Sequence, residues 1–188
     1  GHRPDPTAFV LWAFCDVRPD AWIVDEHVEI GLDATGIAEY IKIYQKEYDV
    51  VETVMDCGAL GAMIAAEIRK RHDLQVKAAE KTDKAAFIEM MNDDFLRGRL
   101  HAPRNWLVTK QWSVLQWDEK RKKEDPRYPN DLTDAGLYGW RELRHWHYQP
   151  PPKPKPKPGT PEHSQQAEDD IDWDESSEAE AKWHNQFL

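Results

Sequence analysis

VVETVMDCG, residues 50–58, reads as one buried strand that delivers a carboxylate at its end. Val50, Val51, Val54 and Met55 make a short, β-branched apolar run, which Asp56-Cys57-Gly58 breaks. ALGAMIAAEIRKRH, residues 59–72, then restarts with helical spacing. Where helices flank a sheet, ligands and chemistry gather at the carboxyl ends of strands. Asp56 is therefore a candidate for chemistry. On this stretch alone it reads first as a turn or cap residue for the helix that follows, and the rest of the chain decides between the two readings.

Upstream, TAFVLWAF (residues 7–14) and AWIVDEHV (21–28) are apolar, aromatic-rich segments separated by Asp16-Val17-Arg18-Pro19-Asp20, the pattern of an antiparallel hairpin. Ile37, Ala38, Ile41, Ile43 and Tyr44 recur among charged residues and predict an amphipathic helix over 35–48. Downstream, LQVKAA (74–79) alternates as a further strand, and Asp83 is placed to cap a helix over 84–97 that Gly98 ends. Residues 99–103 suit a small edge strand, 105–117 a helix, 118–129 an exposed charged loop and 130–148 a last helix. A hairpin feeding alternating α and β units gives an α/β fold, a mixed sheet with helices on its faces.

The 188 residues leave room for one globular domain and a tail. PPPKPKPKPGTP makes 149–161 a stiff polyproline linker. Residues 162–188 hold nine acidic residues against one Lys and cannot bury enough apolar area to fold alone. That segment, with Trp173, Trp183 and Phe187, reads either as a docking tail or as an inert solubilising one. It also carries most of the formal charge of −10, so the body, residues 1–148, is only mildly acidic. Cys15 and Cys57 sit in apolar contexts, which implies neither a disulfide framework nor a zinc site and suits a reducing cytosol. No apolar run approaches the ~20 residues of a membrane span, and no signal peptide is visible. Gly1 in place of Met, followed by HRPDP, reads as the far side of a loop and as a piece of a longer protein.

A second acidic station follows at the start of the last helix, Asn130-Asp131-x-x-Asp134-Ala135. Carboxylates at i and i+3 of a helix start share a face and can cap free N–H groups. Capping accounts for Asp131; Asp134 is then an extra carboxylate on the face that carries Ala135 and Tyr138, with Ala135 small enough to let the helix approach a sheet. Hard cations such as Mg²⁺ or Mn²⁺ take oxygen ligands, few of them from protein. Carboxylates converging at strand ends from distant parts of the chain suit two-metal cleavage of a phosphodiester.

An ordered series now accumulates: Asp56-Cys57-Gly58-x-x-Gly61, Ala79-Glu80-Lys81 with Lys84, Met91-Asn92-Asp93, Gly98-Arg99-Leu100, Gln111 through Trp117-Asp118, and Asn130-Asp131-x-x-Asp134-Ala135-x-x-Tyr138. In order and spacing it resembles the C-terminal nuclease domain of the large terminase subunit of tailed bacteriophages, over nearly all of residues 4–148. Asp5-Pro6-Thr7-Ala8 is similar to that family's entry into its second strand.

The resemblance implies an RNase H-like fold and a metal-dependent endonuclease that cuts concatemeric viral double-stranded DNA during genome packaging, in the host cytoplasm. It makes Asp56 one ligand of a Mg²⁺ or Mn²⁺ pair and Asp134 or Asp131 another, and lets Lys81 and Lys84 contact DNA phosphates, although the residues alone read first as solvated lysines at a helix start. The family's first strand, with its first catalytic Asp, is expected just before Gly1, so the domain is expected to be N-terminally truncated. Asp5 is the nearest carboxylate that could stand behind the ligands. No GxxxxGK[ST] loop occurs, so the family's ATPase domain is expected as a separate partner, with the small terminase subunit and the portal protein. A different class of reading is a catalytically incomplete scaffold that docks on portal or capsid through its tail. An unrelated RNase H-like resolvase or transposase is a third, against which the 130–138 motif argues.

Overall fold

The computed structural model describes residues 6–15, 17–58, 60–118 and 124–144. Asp5, the linker 149–161 and the tail 162–188 lie outside the described residues.

Two long strands, β1 (Pro6–Cys15) and β2 (Arg18–Ile30), form the expected hairpin, with a tighter connection than the five residues read from sequence. Their antiparallel register runs from Pro6 opposite Ile30 to Cys15 opposite Arg18 and slips between Leu11 and Trp12. There Val24 is the extra residue of a bulge, because Leu11 faces Asp25 and Trp12 faces Ile23. Period-two alternation sorts β1 between two cores. Ala8, Val10, Trp12 and Phe14 pack on one side, and Phe9 on the other.

The side that takes Phe9 is built by α1 (Ala34–Glu47) and α2 (Leu60–His72), through Ile37, Ala38, Ile41, Ala65 and Ile68. Asp33 caps α1 by accepting from the Gly36 amide at 2.8 Å. The opposite side is built by α3 (Lys84–Leu96), α4 (Leu107–Val114) and α5 (Asp131–Leu143). Trp140 of α5 is fully buried there with Leu137, Met91 and Leu100. Gly136 and Gly139 let α5 lie directly on its neighbours. A Cβ on Gly139 would sit 2.8 Å from the Trp12 ring, and one on Gly136 would sit 2.9 Å from Trp112. The close approach expected of Ala135 thus belongs to these two glycines, and Ala135 lines an open cleft instead.

The strands fall into two hydrogen-bonded groups among the described residues. β2 pairs in parallel with β5 (Leu100–His101), which makes β1-β2-β5 a mixed sheet. β3 (Val54–Met55) pairs in parallel with β4 (Lys77–Ala78). Both are shorter than the runs read from sequence, 50–56 and 74–79. Helix α4 is shorter too: Leu115 turns to an extended conformation, and Trp117 bridges to Glu124. Asp83 does not cap α3 with its side chain. It holds a left-handed backbone (φ 52°), which Asp tolerates better than most residues. Among the described residues, no helix is long and apolar enough to cross a membrane.

Candidate functional site

Asp56 leaves β3 in a small, fully specified turn. Its carboxylate accepts from the Gly58 amide at 2.8 Å, and the Gly61 amide donates to the Gly58 carbonyl at 2.8 Å. Gly61 admits no side chain, because a Cβ would fall 2.0 Å from the Asp56 carbonyl oxygen. A backbone atom cannot move aside as a side chain can, so this glycine sets how closely α2 starts behind the carboxylate.

The segment between β4 and α3 brings up two ammonium groups. Lys81 Nζ meets Asp56 Oδ1 at 2.5 Å and lies 5.9 Å from the centre of the Tyr138 ring. Lys84 Nζ lies between Asp134 Oδ1 (2.5 Å) and Glu124 Oε2 (2.7 Å). Asn130 donates to the same Glu124 oxygen at 2.9 Å. Arg141 of α5 braces the segment: its guanidinium donates to the Thr82 carbonyl at 2.8 Å and lies 3.7 Å from the centre of the Phe87 ring. The Ala79 amide ties the start of the segment to the Met55 carbonyl.

The two carboxylates titrate in opposite directions. Partial burial would raise Asp56, but the Lys81 ammonium and the Gly58 amide outweigh it and hold the carboxyl below its usual value. Burial dominates at Asp134 and pushes it up despite Lys84, with repulsion from Glu124 and Asp56 adding to the shift. Lys84 is raised, since its bonds to Asp134 and Glu124 overcome its own burial. Tyr138 is raised by burial and then by Asp134 and Asp56, so its hydroxyl keeps its proton.

Asp56, Lys81, Asp131 and Asp134 all line one cleft of about 1050 Å³. Lys84 joins them through Asp134. Glu124 was hidden in the charged loop 118–129, where no spacing distinguishes it from its neighbours. The donors suit a hard divalent cation, being carboxylate oxygens with room for water beside them. Among the described residues, however, no three Asp, Glu, His or Cys side chains converge to hold an ion. A cation arriving here would meet oxygens already bonded to lysine.

No family model matches the sequence, and no curated protein matches it. Solved structures do. The large terminase nuclease domain of bacteriophage SPP1, crystallised with bound Mn, superposes with a TM-score of 0.52 at 16% identity, over 76% of this chain and 81% of that one. Two crystal forms of the large terminase of a thermophilic bacteriophage match at 21% identity. One, in complex with ATP-gamma-S, has a TM-score of 0.56 over 74% of this chain. The other has 0.57 over 77%. The chain has the fold of a large-terminase nuclease domain. It spans 37% of the length of the thermophilic phage's terminase. Within this terminase-nuclease fold, Asp56 ends β3 and Asp134 stands in the first turn of α5.

Proposed function

We propose that this chain is the divalent-metal-dependent endonuclease domain of a phage large terminase, cutting concatemeric double-stranded viral DNA during packaging in the host cytoplasm. The observation that carries the proposal is that Asp56 and Asp134 line one cleft of a terminase-nuclease fold. Asp56 and Asp134 would hold Mg²⁺ or Mn²⁺, with Asp131 beside them. The bound cation would supply an activated water and a counter-charge for the phosphate undergoing displacement. The Mn carried by the SPP1 domain supports that choice of ion.

The chain's own residues prepare the site. The Gly58 amide and Lys81 hold the Asp56 carboxyl below its usual value. Lys84 counters the burial of Asp134. Lys81 and Lys84, paired here with Asp56 and Asp134, would turn to the DNA backbone if those carboxylates held a cation, and would neutralise phosphate charge without reading sequence. A terminase ATPase domain, the small subunit and the portal are the partners proposed for the full assembly.

The test is nicking of supercoiled plasmid with Mg²⁺, Mn²⁺ or EDTA, paired with Mn²⁺ binding followed by electron paramagnetic resonance. Metal-dependent nicking should fall more than about 100-fold in Asp56→Asn and in Asp134→Asn, beyond the loss typical of residues that only support a ligand. Nicking unchanged in Asp56→Asn would overturn the assignment. The absence of a third converging ligand among the described residues favours a second reading, a scaffold that docks on portal or capsid. A folded chain that neither binds Mn²⁺ nor nicks DNA would select it.

A further inference from the structure

Thr82 stands between the two lysines of the site, and side chains hold both of its backbone groups. Its amide donates to Glu80 Oε1 at 2.8 Å, and its carbonyl accepts from the Arg141 guanidinium at 2.8 Å. The chain then takes the left-handed turn at Asp83 and starts α3 at Lys84. Arg141 also reaches past that start, since its guanidinium lies 3.7 Å from the centre of the Phe87 ring, on the next turn of α3. From either side of this held point Lys81 runs to Asp56, and Lys84 to Asp134 and Glu124.

Packing alone does not call for an arginine at 141. Its side chain is only 4% exposed, yet the carboxylate beside it, that of Glu80, is solvated and 3.9 Å away. So loose a pair stabilises little against the burial of a cation, and an apolar side chain would fill the space at less cost. What an arginine adds is a planar fork that can donate to a carbonyl while it rests against a ring. Asp134 and Arg141 stand about two turns apart on the same face of α5. One helix therefore carries both the carboxylate and the group that holds the lysine segment.

We infer that Arg141 is the positioning residue for both lysines. It fixes the backbone at Thr82 and the first turn of α3, so that Lys81 and Lys84 face the carboxylates in the free chain and reach a DNA backbone by side-chain rotation alone. Arg141 does not line the cleft, so it acts through the lysines. A segment without this hold would be ordered anew at each binding event, and that ordering lowers affinity. The DNA contact rests on the nuclease reading; the hold on the lysines does not.

Two measurements on the whole chain test this. The first needs neither metal nor DNA: carbon NMR of the lysine ε-methylenes, assigned with Lys81→Met and Lys84→Met. Arg141→Lys keeps the charge but loses the fork, and should move the Lys81 and Lys84 signals toward those of solvated lysines. Phe87→Leu keeps Arg141, removes the ring beside it and should move them the same way by less; it carries the test alone if Arg141→Lys does not fold. The second is binding of a short random-sequence duplex with Ca²⁺ as the cation. Arg141→Lys should weaken it about tenfold, the scale of ordering one backbone residue. In a chain with both lysines replaced by Met it should have no further effect, because it acts only through them. A general loosening of the fold would instead add to the lysine effects. Unmoved lysine signals in a folded variant, or an Arg141 effect that persists without the lysines, would overturn the proposal. Signals that move in a chain whose unaltered form binds no DNA would uphold the hold on the lysines and sink the nuclease reading alone, so the two failures are told apart.

Discussion

At the end of β3, Asp56 and Lys81 keep 51% and 44% of their side-chain surface in solvent. At the start of α5, Asp134 and Lys84 keep 26% and 27%, and Glu124 keeps 12%. Each station is a carboxylate on a lysine, yet the first carboxyl titrates low and the second high. The difference lies in what surrounds the pair. Solvent and a backbone amide favour the charged form of Asp56, whereas burial and two other carboxylates disfavour that of Asp134. An ion pair holds a carboxylate ionised only as far as its surroundings permit.

The largest structural test of this contrast is at the glycines behind each station. Gly61→Ala forces a methyl group onto the Asp56 carbonyl and should cost about 3 kcal/mol. Gly136→Ala meets only the edge of the Trp112 ring, and improved helix propensity offsets part of the strain, for a net of about 1 kcal/mol. Urea unfolding of both variants checks the order. If Gly136→Ala proved the costlier, the Asp56 turn would not be the tighter of the two.

The lysines come next. Lys84→Met leaves Asp134 and Glu124 close together and partly buried with no cation between them, and should destabilise by about 1–3 kcal/mol. Lys81→Met removes an exposed partner and should cost about 0–1 kcal/mol. Thermal melts at low and high salt separate the two, since salt weakens the exposed pair more.

The smallest effect is in titration. As pH falls, Asp134 should protonate before Asp56, in a carboxyl-carbon NMR titration of the metal-free chain. The linked stabilities have opposite signs. Asp56, lowered by folding, stabilises the fold above its unfolded value, and that contribution is lost as pH falls through the folded one. Asp134, raised by folding, favours the fold below its unfolded value, and that contribution is lost as pH rises through the folded one. Reversed order in the titration would mean that Lys84 outweighs burial at Asp134.

Much of this arrangement was legible before any coordinates. The hairpin was, because the unbroken apolar run along 7–14 suits a strand with a core on each side. Asp56 was, because a β-branched run stops at it and a helix starts after it. The lengths of β3 and β4 were not. Apolar residues at 50–53 and 74–76 announce burial, but a ladder needs a partner at the right register, and β3 meets β4 over only two residue pairs. Asp83 misled because its side chain suits a cap, whereas its backbone takes a left-handed turn just after Thr82, whose carbonyl Arg141 holds. Glu124 lay in a run of charges, and what singles it out is a bridge to Trp117 and a bond from Asn130, both tertiary. Asp134 and Asp131 remained alternatives in the sequence. In the structure both line the cleft, and Asp134 meets Lys84.

The Trp12 indole donates to the Gly136 carbonyl at 3.0 Å, across 124 positions of chain. A ribosome adds about 5–20 residues per second, so the β1–β2 hairpin emerges on the order of ten seconds before the helix that covers it exists. During synthesis its aromatic face stays open to chaperones and to other nascent chains. Expression yield should therefore respond to slowed translation of the stretch between β2 and α5 more than to the strength of any single contact in the finished fold.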